Sequence, residues 1–150
     1  VIFCANTLQA REDSLAKVMA ETGATFCPPY NYEPTIEGQA TCALEVFEEL
    51  KNLDFLLTPV GGGGLLAGSA ISAHHFSSNT QVIGCEPELA KDAFLSFKTG
   101  TLQPAMPPIT IADGLRTSLG RINFGYIQKY VSDILLCNED EIKQTQKLKK

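Results

Sequence analysis

The sequence predicts an α/β fold of three layers, in which helices cover both faces of a mostly parallel sheet. Short apolar runs alternate with helical patterns along all 150 residues, and this alternation is typical of parallel sheets. Residues 54–68 (DFLLTPVGGGGLLAG) combine an apolar strand, a glycine turn and a helix of small residues. With 44% apolar and 19% charged residues, the chain can form one substantial hydrophobic core.

The elements before the glycine turn follow from apolar runs and helical spacing. Asn6 or Thr7 is expected to cap a first helix. Apolar residues recur every three or four positions over 36–50, which predicts a long amphipathic helix. Segments 1–4 and 25–27 are short apolar runs, and both are expected to be strands.

The alternation continues from the glycine-loop strand to the end of the chain. The apolar run Phe55 to Leu57 is typical of a strand buried on both faces. Asn138 and Glu141 have the spacing of a capping box that opens a final helix. The predicted elements between them are helix 65–73, strand 81–86, helix 92–99, helix 124–130 and strand 134–137.

The net charge and the cysteines limit which functions and which cellular compartments fit the sequence. A net charge of −5 argues against non-specific nucleic-acid binding, which needs a basic face. No apolar run is long enough for a membrane span. The five cysteines lack C-x-x-C spacing, so we expect buried free thiols in a reducing, cytoplasmic compartment. They are Cys4, Cys27, Cys42, Cys85 and Cys137. The start at Val1 and an end within a predicted helix suggest a piece of a longer protein.

The glycine run is predicted to bind an anion. Gly61 to Gly64 lack Cβ atoms, so their amides can approach a ligand closely. The helix that follows directs unpaired N–H groups and the positive end of its dipole toward the same place. A tight turn without a ligand is the alternative, although four consecutive glycines cost backbone entropy on folding.

Three kinds of anion could occupy this loop. A nucleoside triphosphate is disfavoured because Leu65 follows the glycines, where a Walker motif has Lys. A dinucleotide fits the pattern G-x-G-x-x-A at Gly62, Gly64 and Ala67, with Glu86 as the ribose-binding acid. A cofactor monophosphate such as that of pyridoxal phosphate fits an unbroken glycine nest.

Four segments together carry a family resemblance. TPVGGGGLLAG, VIGCEPELAKDA, TIADGLRTSLG and LLCNEDEI, with EGQATCALE before them, resemble the serine/threonine dehydratase and serine racemase family of fold type II pyridoxal-phosphate enzymes. The resemblance implies a tryptophan synthase beta-like fold. It also implies that Gly61, Gly62, Gly63, Gly64 and the amide of Leu65 hold the cofactor phosphate.

A second constellation lies at Glu86 to Asp92. Two carboxylates six residues apart can converge on a hard cation, and a helix cap with solvated acids is the alternative. In the family, residues that match Glu86, the carbonyl of Ala90, and Asp92 bind Mg²⁺ or Ca²⁺. The resemblance therefore implies a structural or regulatory metal site.

The resemblance also suggests substrate-binding residues. Arg11 matches an arginine that binds the substrate carboxylate, although an arginine in a first helical turn is usually solvated or paired. Thr117 matches a small hydroxyl near the substrate, and its alternative is a loop cap. Ser96-Phe97-Lys98 spells the motif of the family's Schiff-base lysine but follows the glycine loop instead of preceding it. We therefore interpret Lys98 as a helix-terminal lysine. His74 and His75 are expected at the surface.

The predicted function is that of a fragment of a pyridoxal-phosphate-dependent L-threonine/L-serine ammonia-lyase. Serine racemase is the alternative within the family, and a dinucleotide-binding oxidoreductase is the alternative from another class. Residues 1–27 are expected to end a small domain and 28–150 to form the central part of a large one. The parent is expected to be a homo-oligomer that acts on a small amino acid, and the isolated piece is expected to be inactive because it lacks the lysine.

Overall fold

The computed structural model describes residues 1–5, 7–104 and 106–148, and it confirms the predicted fold class. The helices are α1 (Leu8–Thr22), α2 (Glu33–Glu49), α3 (Gly64–Phe76), α4 (Asp92–Thr99), α5 (Arg121–Tyr130) and α6 (Glu139–Lys147). The strands are β1 (Phe55–Pro59), β2 (Gln81–Pro87) and β3 (Asp133–Cys137). In the described ranges they form one sheet in the order β1-β2-β3, and both neighbouring pairs are parallel.

The hydrophobic core lies on one face of this sheet, beneath α3, α4 and α5. Strand register places Thr58, Gly84 and Ile134 side by side on that face. Side chains from several elements close the core at 1% exposure or less, which removes large apolar areas from water. These side chains are Ile36, Leu66, Val82, Ile127 and Ile134.

Helix α2 packs closely on α3 because small residues line the contact. A Cβ atom on Gly68 would lie 2.6 Å from the amide nitrogen of Ala40 and 2.7 Å from the carbonyl oxygen of Ile36. The hydroxyl of Ser72 donates a 2.6 Å hydrogen bond to the carbonyl of Ala40. The glycine-loop helix is thereby fixed from its outer side.

Two predicted strands are wrong, since segments 1–4 and 25–27 have no strand conformation. A strand needs a neighbouring backbone to pair with, and no described strand lies beside either segment. The expectation that β1 is buried on both faces is also wrong. Phe55 is 56% and Leu57 is 60% exposed, because the helices of the core pack on the face of Leu56.

The cysteines are free as predicted, but they are not buried. Cys4, Cys27 and Cys42 are exposed, and Cys85 and Cys137 are half-buried. The first two belong to the segments that do not join the sheet. The other two strand cysteines share the sheet face of Leu57, away from the helices of the core.

The predicted caps are found at α1 and α6, whereas α2 and α5 each begin three residues earlier than the sequence predicts. Thr7 caps α1, whereas Asn6 lies outside the described residues. The capping box of Asn138 and Glu141 is confirmed at α6. Helix α5 begins three residues earlier than predicted, and the side chain of Asn31 accepts the Ile122 amide there at 2.8 Å. Among the described helices, none has the length and apolar character of a membrane span.

Candidate functional site

The glycine loop follows β1 at the carboxyl end of the sheet and leads directly into α3. Gly61 to Gly64 are buried. Among the described residues, the amides of Gly61, Gly62 and Gly63 donate no hydrogen bond to a protein group. Buried N–H groups in proteins are almost always paired. Three adjacent buried donors are therefore suited to an acceptor from outside the chain.

The neighbours of the loop leave no room for side chains at these positions. A Cβ atom on Gly61 would lie 2.9 Å from the hydroxyl oxygen of Thr117, and one on Gly62 would lie 2.5 Å from the ring of Tyr30. Gly63 has a φ of 89°, which side-chain-bearing residues rarely adopt. The glycines are required by contact with Tyr30 and Thr117 as well as by backbone conformation.

The start of α5 holds the glycine loop through the carbonyl group of Gly62. The carbonyl of Gly62 accepts the Gly120 amide at 3.0 Å and the side-chain Nδ2 of Asn123 at 2.5 Å. Asn123 is 0% exposed, and its Oδ1 atom has no hydrogen-bond partner among the described residues. Such an unpaired buried acceptor costs about 1–3 kcal/mol.

Sequence reasoning missed Asn123 and Tyr30. A weak signal for Asn123 is an amide side chain in the first turn of a helix, three residues after Gly120. No signal ties either residue to a loop that lies more than 30 positions away in the sequence.

Helix α3 directs its N-terminus at the glycine loop. Gly63 is the N-cap residue, no side chain caps the helix, and its first turn contains no acidic residue. The positive end of the helix dipole is therefore not neutralised locally. This favours an anion beside the loop.

The segment that carries Thr117 is held by bonds within itself and by one bond to α6. The Arg116 guanidinium donates to the Thr110 carbonyl through Nε at 2.8 Å and again through its terminal nitrogen. The Glu139 carboxylate accepts the Ile111 amide at 2.9 Å. That N–H donor is the main cause that holds the pKa of Glu139 below its usual range. These bonds hold the segment that carries Thr117, whose hydroxyl lies beside Gly61.

Glu86 and Asp92 are two buried acidic residues at the N-terminus of α4. They are 1% and 4% exposed. The two oxygens of Glu86 accept the amides of Ala93 and Phe94 at 2.9 and 2.7 Å. The Oδ2 atom of Asp92 accepts the Leu119 amide at 2.8 Å. Glu86 thus caps α4, in agreement with the helix-cap alternative, but both acids are buried instead of solvated.

Burial controls the acidity of this pair. It raises the pKa of Glu86 to about 7, against the opposing effect of the two amide donors, and the Asp92 carboxylate raises it further. Burial also raises the pKa of Asp92, again against its amide donor. Neither carboxylate has an ion pair in the described part of the chain. In the same ranges, no group of three or more His, Cys, Asp or Glu side chains is placed to hold a metal.

The structure does not bring Arg11 to the other predicted site residues. Arg11 is exposed in the first turn of α1. Within the described ranges, no hydrogen bond or ion pair joins its side chain to Thr117 or to the glycine loop. His74 and His75 are exposed at the end of α3, as predicted, and the ring of His74 lies 4.6 Å from that of Tyr130.

Lys98 lies in the last turn of α4, as interpreted from the sequence. Its Nζ atom lies 2.7 Å from Oδ1 of Asp133, the first residue of β3. The glycine loop follows the last residue of β1, and the strands are parallel. Lys98 therefore lies at the opposite edge of the sheet from the glycine loop.

A cavity of about 540 Å³ opens at the same sheet edge as the glycine loop. Its wall contains Pro59, Cys85 and Cys137 from the strand ends, together with Asp113 and residues of α6. The Val60 amide donates to the Cys85 carbonyl at 3.0 Å, which connects this wall to the loop. Ligands of open α/β sheets commonly bind at the carboxyl ends of strands.

Comparison with known proteins settles the family. Residues 1–148 match the family described as pyridoxal-phosphate dependent enzyme. The chain belongs to that family. Its structural neighbours are fold type II members, so the resemblance seen in the sequence is confirmed. A dinucleotide-binding oxidoreductase is thereby contradicted, and Glu86, buried against α4, is not available to a ribose.

Three relatives show the breadth of this family. Beta-hydroxyaspartate dehydratase from Paracoccus denitrificans (strain Pd 1222) is 39% identical over 97% of the chain and 46% of its own length. Serine racemase from Dictyostelium discoideum is 40% identical over 99% and 46%. The crystal structure of threonine deaminase from T.th. matches with a TM-score of 0.90 and 36% identity, over 99% and 50%. The chain thus spans about half the length of the relatives it matches.

Proposed function

We propose that the full-length protein is a pyridoxal-phosphate-dependent ammonia-lyase that converts L-threonine or L-serine into a 2-oxo acid and ammonia. The names of the relatives support this choice, since a dehydratase and a deaminase are among them. Threonine, serine and hydroxyaspartate all carry an amino group on the α-carbon and a hydroxyl group on the neighbouring β-carbon. Racemisation of serine is the second candidate, favoured by the similarity to a serine racemase.

The observation that carries the proposal is the set of unpaired, buried amides in the glycine loop. The cofactor has a phosphate, and the amides of Gly61, Gly62, Gly63, Gly64 and Leu65 are proposed to hold it. When bound, the cofactor supplies an electron sink for the substrate's α-carbon. The loop, backed by Tyr30 and α5, fixes the phosphate and excludes water from it.

Two further residues are proposed to bind the amino-acid substrate. The Thr117 hydroxyl lies beside Gly61, where it can donate to a carboxylate next to the cofactor. Arg11 is proposed as a bidentate partner of the substrate carboxylate. Its exposure on α1 leaves the guanidinium free to take that role.

Phosphate binding can be tested on the full-length protein labelled with ¹⁵N. Titration with inorganic phosphate or with pyridoxal phosphate should shift the amide signals of Gly61 to Gly64. The Gly38 amide, on the exposed side of α2, should not move and serves as the internal control. Loop signals that stay fixed at saturating ligand would contradict the phosphate site.

The reaction can be tested on the full-length protein with L-serine and L-threonine. Formation of 2-oxo acid should exceed formation of D-serine, measured by chiral chromatography in the same samples. A protein that releases D-serine faster than pyruvate is a racemase. A protein that does neither with pyridoxal phosphate bound contradicts both candidates.

We also propose that Glu86, the carbonyl of Ala90, and Asp92 hold Mg²⁺ or Ca²⁺. All three supply oxygen atoms, which hard cations prefer, and buried carboxylates are usually paired or coordinate a metal. A millimolar addition of CaCl₂ or MgCl₂ should raise the melting temperature of the protein. Glu86→Gln should abolish that rise, whereas Glu88→Gln, at an exposed neighbour, should preserve it. Equal responses from both variants would place the cation elsewhere.

The remaining predictions concern the whole protein. Residues 1–27 are proposed to end a small domain and 28–150 to belong to a large one, which is supported by the exposure of Ile2 and Phe3. A homo-oligomer and a cytoplasmic location also stay predictions. Light scattering of the full-length protein and imaging of a tagged copy would test them.

A further inference from the structure

The peptide unit between Gly62 and Gly63 is fixed from behind by two donors. The Gly62 carbonyl accepts the Gly120 amide at 3.0 Å and Nδ2 of Asn123 at 2.5 Å. Both donors belong to the start of α5, so the carbonyl oxygen is directed toward that helix. Asn123 is completely buried at this position.

Peptide planarity carries this constraint to the amide of Gly63. In a trans peptide, the carbonyl oxygen of one residue and the N–H of the next point in opposite directions. Because the Gly62 oxygen faces α5, the Gly63 N–H faces away from α5. Glycine neighbours permit a rotation of the whole peptide unit, since neither residue has a Cβ atom to prevent it. Two donors on one oxygen oppose that rotation.

Asn123 has an energetic disadvantage that its packing does not explain. Its Oδ1 atom is buried without a hydrogen-bond partner among the described residues, and such atoms destabilise a fold. A leucine has the same branching and no polar atom, so it would avoid the unpaired acceptor. The distinctive contribution of the amide side chain is the hydrogen bond to Gly62.

We propose that Asn123 is a positioning residue of the phosphate site, which it serves by locking the Gly62–Gly63 peptide with the Gly63 N–H directed at the anion. The proposal rests on the proposed function of the glycine loop. Asn123 contacts Gly62 from behind and acts through the main chain. Without its side chain, the Gly120 amide alone holds the carbonyl, and the peptide samples orientations in which the Gly63 donor is lost.

The test combines two substitutions with a phosphate titration of the ¹⁵N-labelled protein. Asn123→Leu removes both polar atoms and with them the hydrogen bond to Gly62, so phosphate affinity should fall roughly tenfold, as for loss of one charge-assisted hydrogen bond. Asn123→Asp keeps the shape but loses the donor when ionised. Its affinity relative to wild type should be lowest at pH 8 and recover toward pH 5, where a protonated carboxyl can donate to Gly62. Asn79→Leu and Asn79→Asp, in an exposed loop, should match wild type throughout.

The outcomes separate this inference from the phosphate site itself. If wild type shows no phosphate shift at Gly61 to Gly64, the proposed site fails. If wild type binds and both Asn123 variants bind equally well, with the same Gly63 shift, the positioning role is overturned. If neither variant folds, the scalar coupling across the hydrogen bond from Asn123 Nδ2 to the Gly62 carbonyl is measured in the wild-type protein instead. Its persistence in the phosphate-bound protein supports the proposal, and its absence overturns it.

Discussion

Cys85 and Cys137 lie on the open face of the sheet, and both are half-buried. Burial, and then the proximity of Cys137, raises the pKa of Cys85. The thiolate is the nucleophilic form, so Cys85 should react more slowly with a disulfide reagent at pH 8 than Cys42, which is exposed on α2. Time-resolved labelling followed by peptide mass spectrometry measures both rates in one sample. Faster labelling of Cys85 would show that the strand ends open in solution.

Single residues of the candidate site differ in how far the sequence could predict them. The glycines were predictable because four residues without Cβ atoms in a row have few structural uses besides close approach to the main chain. Thr117 was placed only through a family resemblance. Asn123 could not be predicted, because its role depends on a hydrogen bond to Gly62, 61 positions earlier.

At the scale of helices, the contact of α2 with α3 makes a sharp prediction about glycine. Gly68→Ala would place a Cβ atom 2.6 Å from the main chain of α2, so it should destabilise the protein by about 2 kcal/mol or more through overpacking. Gly38 lies in α2, and beyond its chain neighbours and the nearby backbone of its own helix no described atom lies within 4 Å of the position that its Cβ atom would take. Gly38→Ala should therefore stabilise by about 0.5–1 kcal/mol. Urea denaturation measures both, and equal effects would refute the close approach of the helices.

Helix α5 depends on a cap that comes from a distant loop. Asn31 has a φ of 50°, and its side chain accepts the Ile122 amide at 2.8 Å. Asn31→Asp should keep the cap. Asn31→Gly should lose the cap but tolerate the backbone, and Asn31→Ala should lose both, at a cost of about 1–2 kcal/mol for the cap alone. Thermal unfolding should show that the Asp variant is the most stable, the Gly variant less stable and the Ala variant the least stable. An Ala variant as stable as wild type would contradict the cap.

The same cap explains why the start of α5 was missed. The boundaries of α4 and the capping box of α6 were predictable because their signals lie within a few residues of the helix ends. The cap of α5 lies 91 positions away, where no local pattern refers to it. The segments at 1–4 and 25–27 failed for a related reason, since apolar runs indicate a strand only when a neighbouring strand is present.

The parallel sheet brings together residues that the sequence keeps apart. Carboxyl ends of all three strands meet at one edge, which places the glycine loop, the cavity and Asp113 near one another. The same parallel arrangement places Lys98 at the opposite edge, where the strands begin. The fold class was predictable from alternating patterns, but the open face of Phe55 and Leu57 was not, because apolar strands look alike whether one face or both are covered.

The stability of the whole molecule should depend on pH through Glu86. Its pKa rises from about 4.5 in the unfolded chain to about 7 in the folded protein, so the folded state binds the proton more tightly. The stabilising contribution is complete below pH 4.5 and is lost as the pH rises through 7. The difference corresponds to about 3 kcal/mol at 1.36 kcal/mol per pKa unit.

Chemical denaturation in a chelator should therefore give a lower free energy of unfolding at pH 8 than at pH 5. Glu86→Gln cannot ionise, so the change between these two pH values should largely disappear in that variant. The exposed neighbour Glu88 offers a matched control, because Glu88→Gln should keep the wild-type dependence. A Glu86→Gln protein with an unchanged profile would show that the two amide donors of α4 outweigh burial and keep this carboxylate ionised at neutral pH.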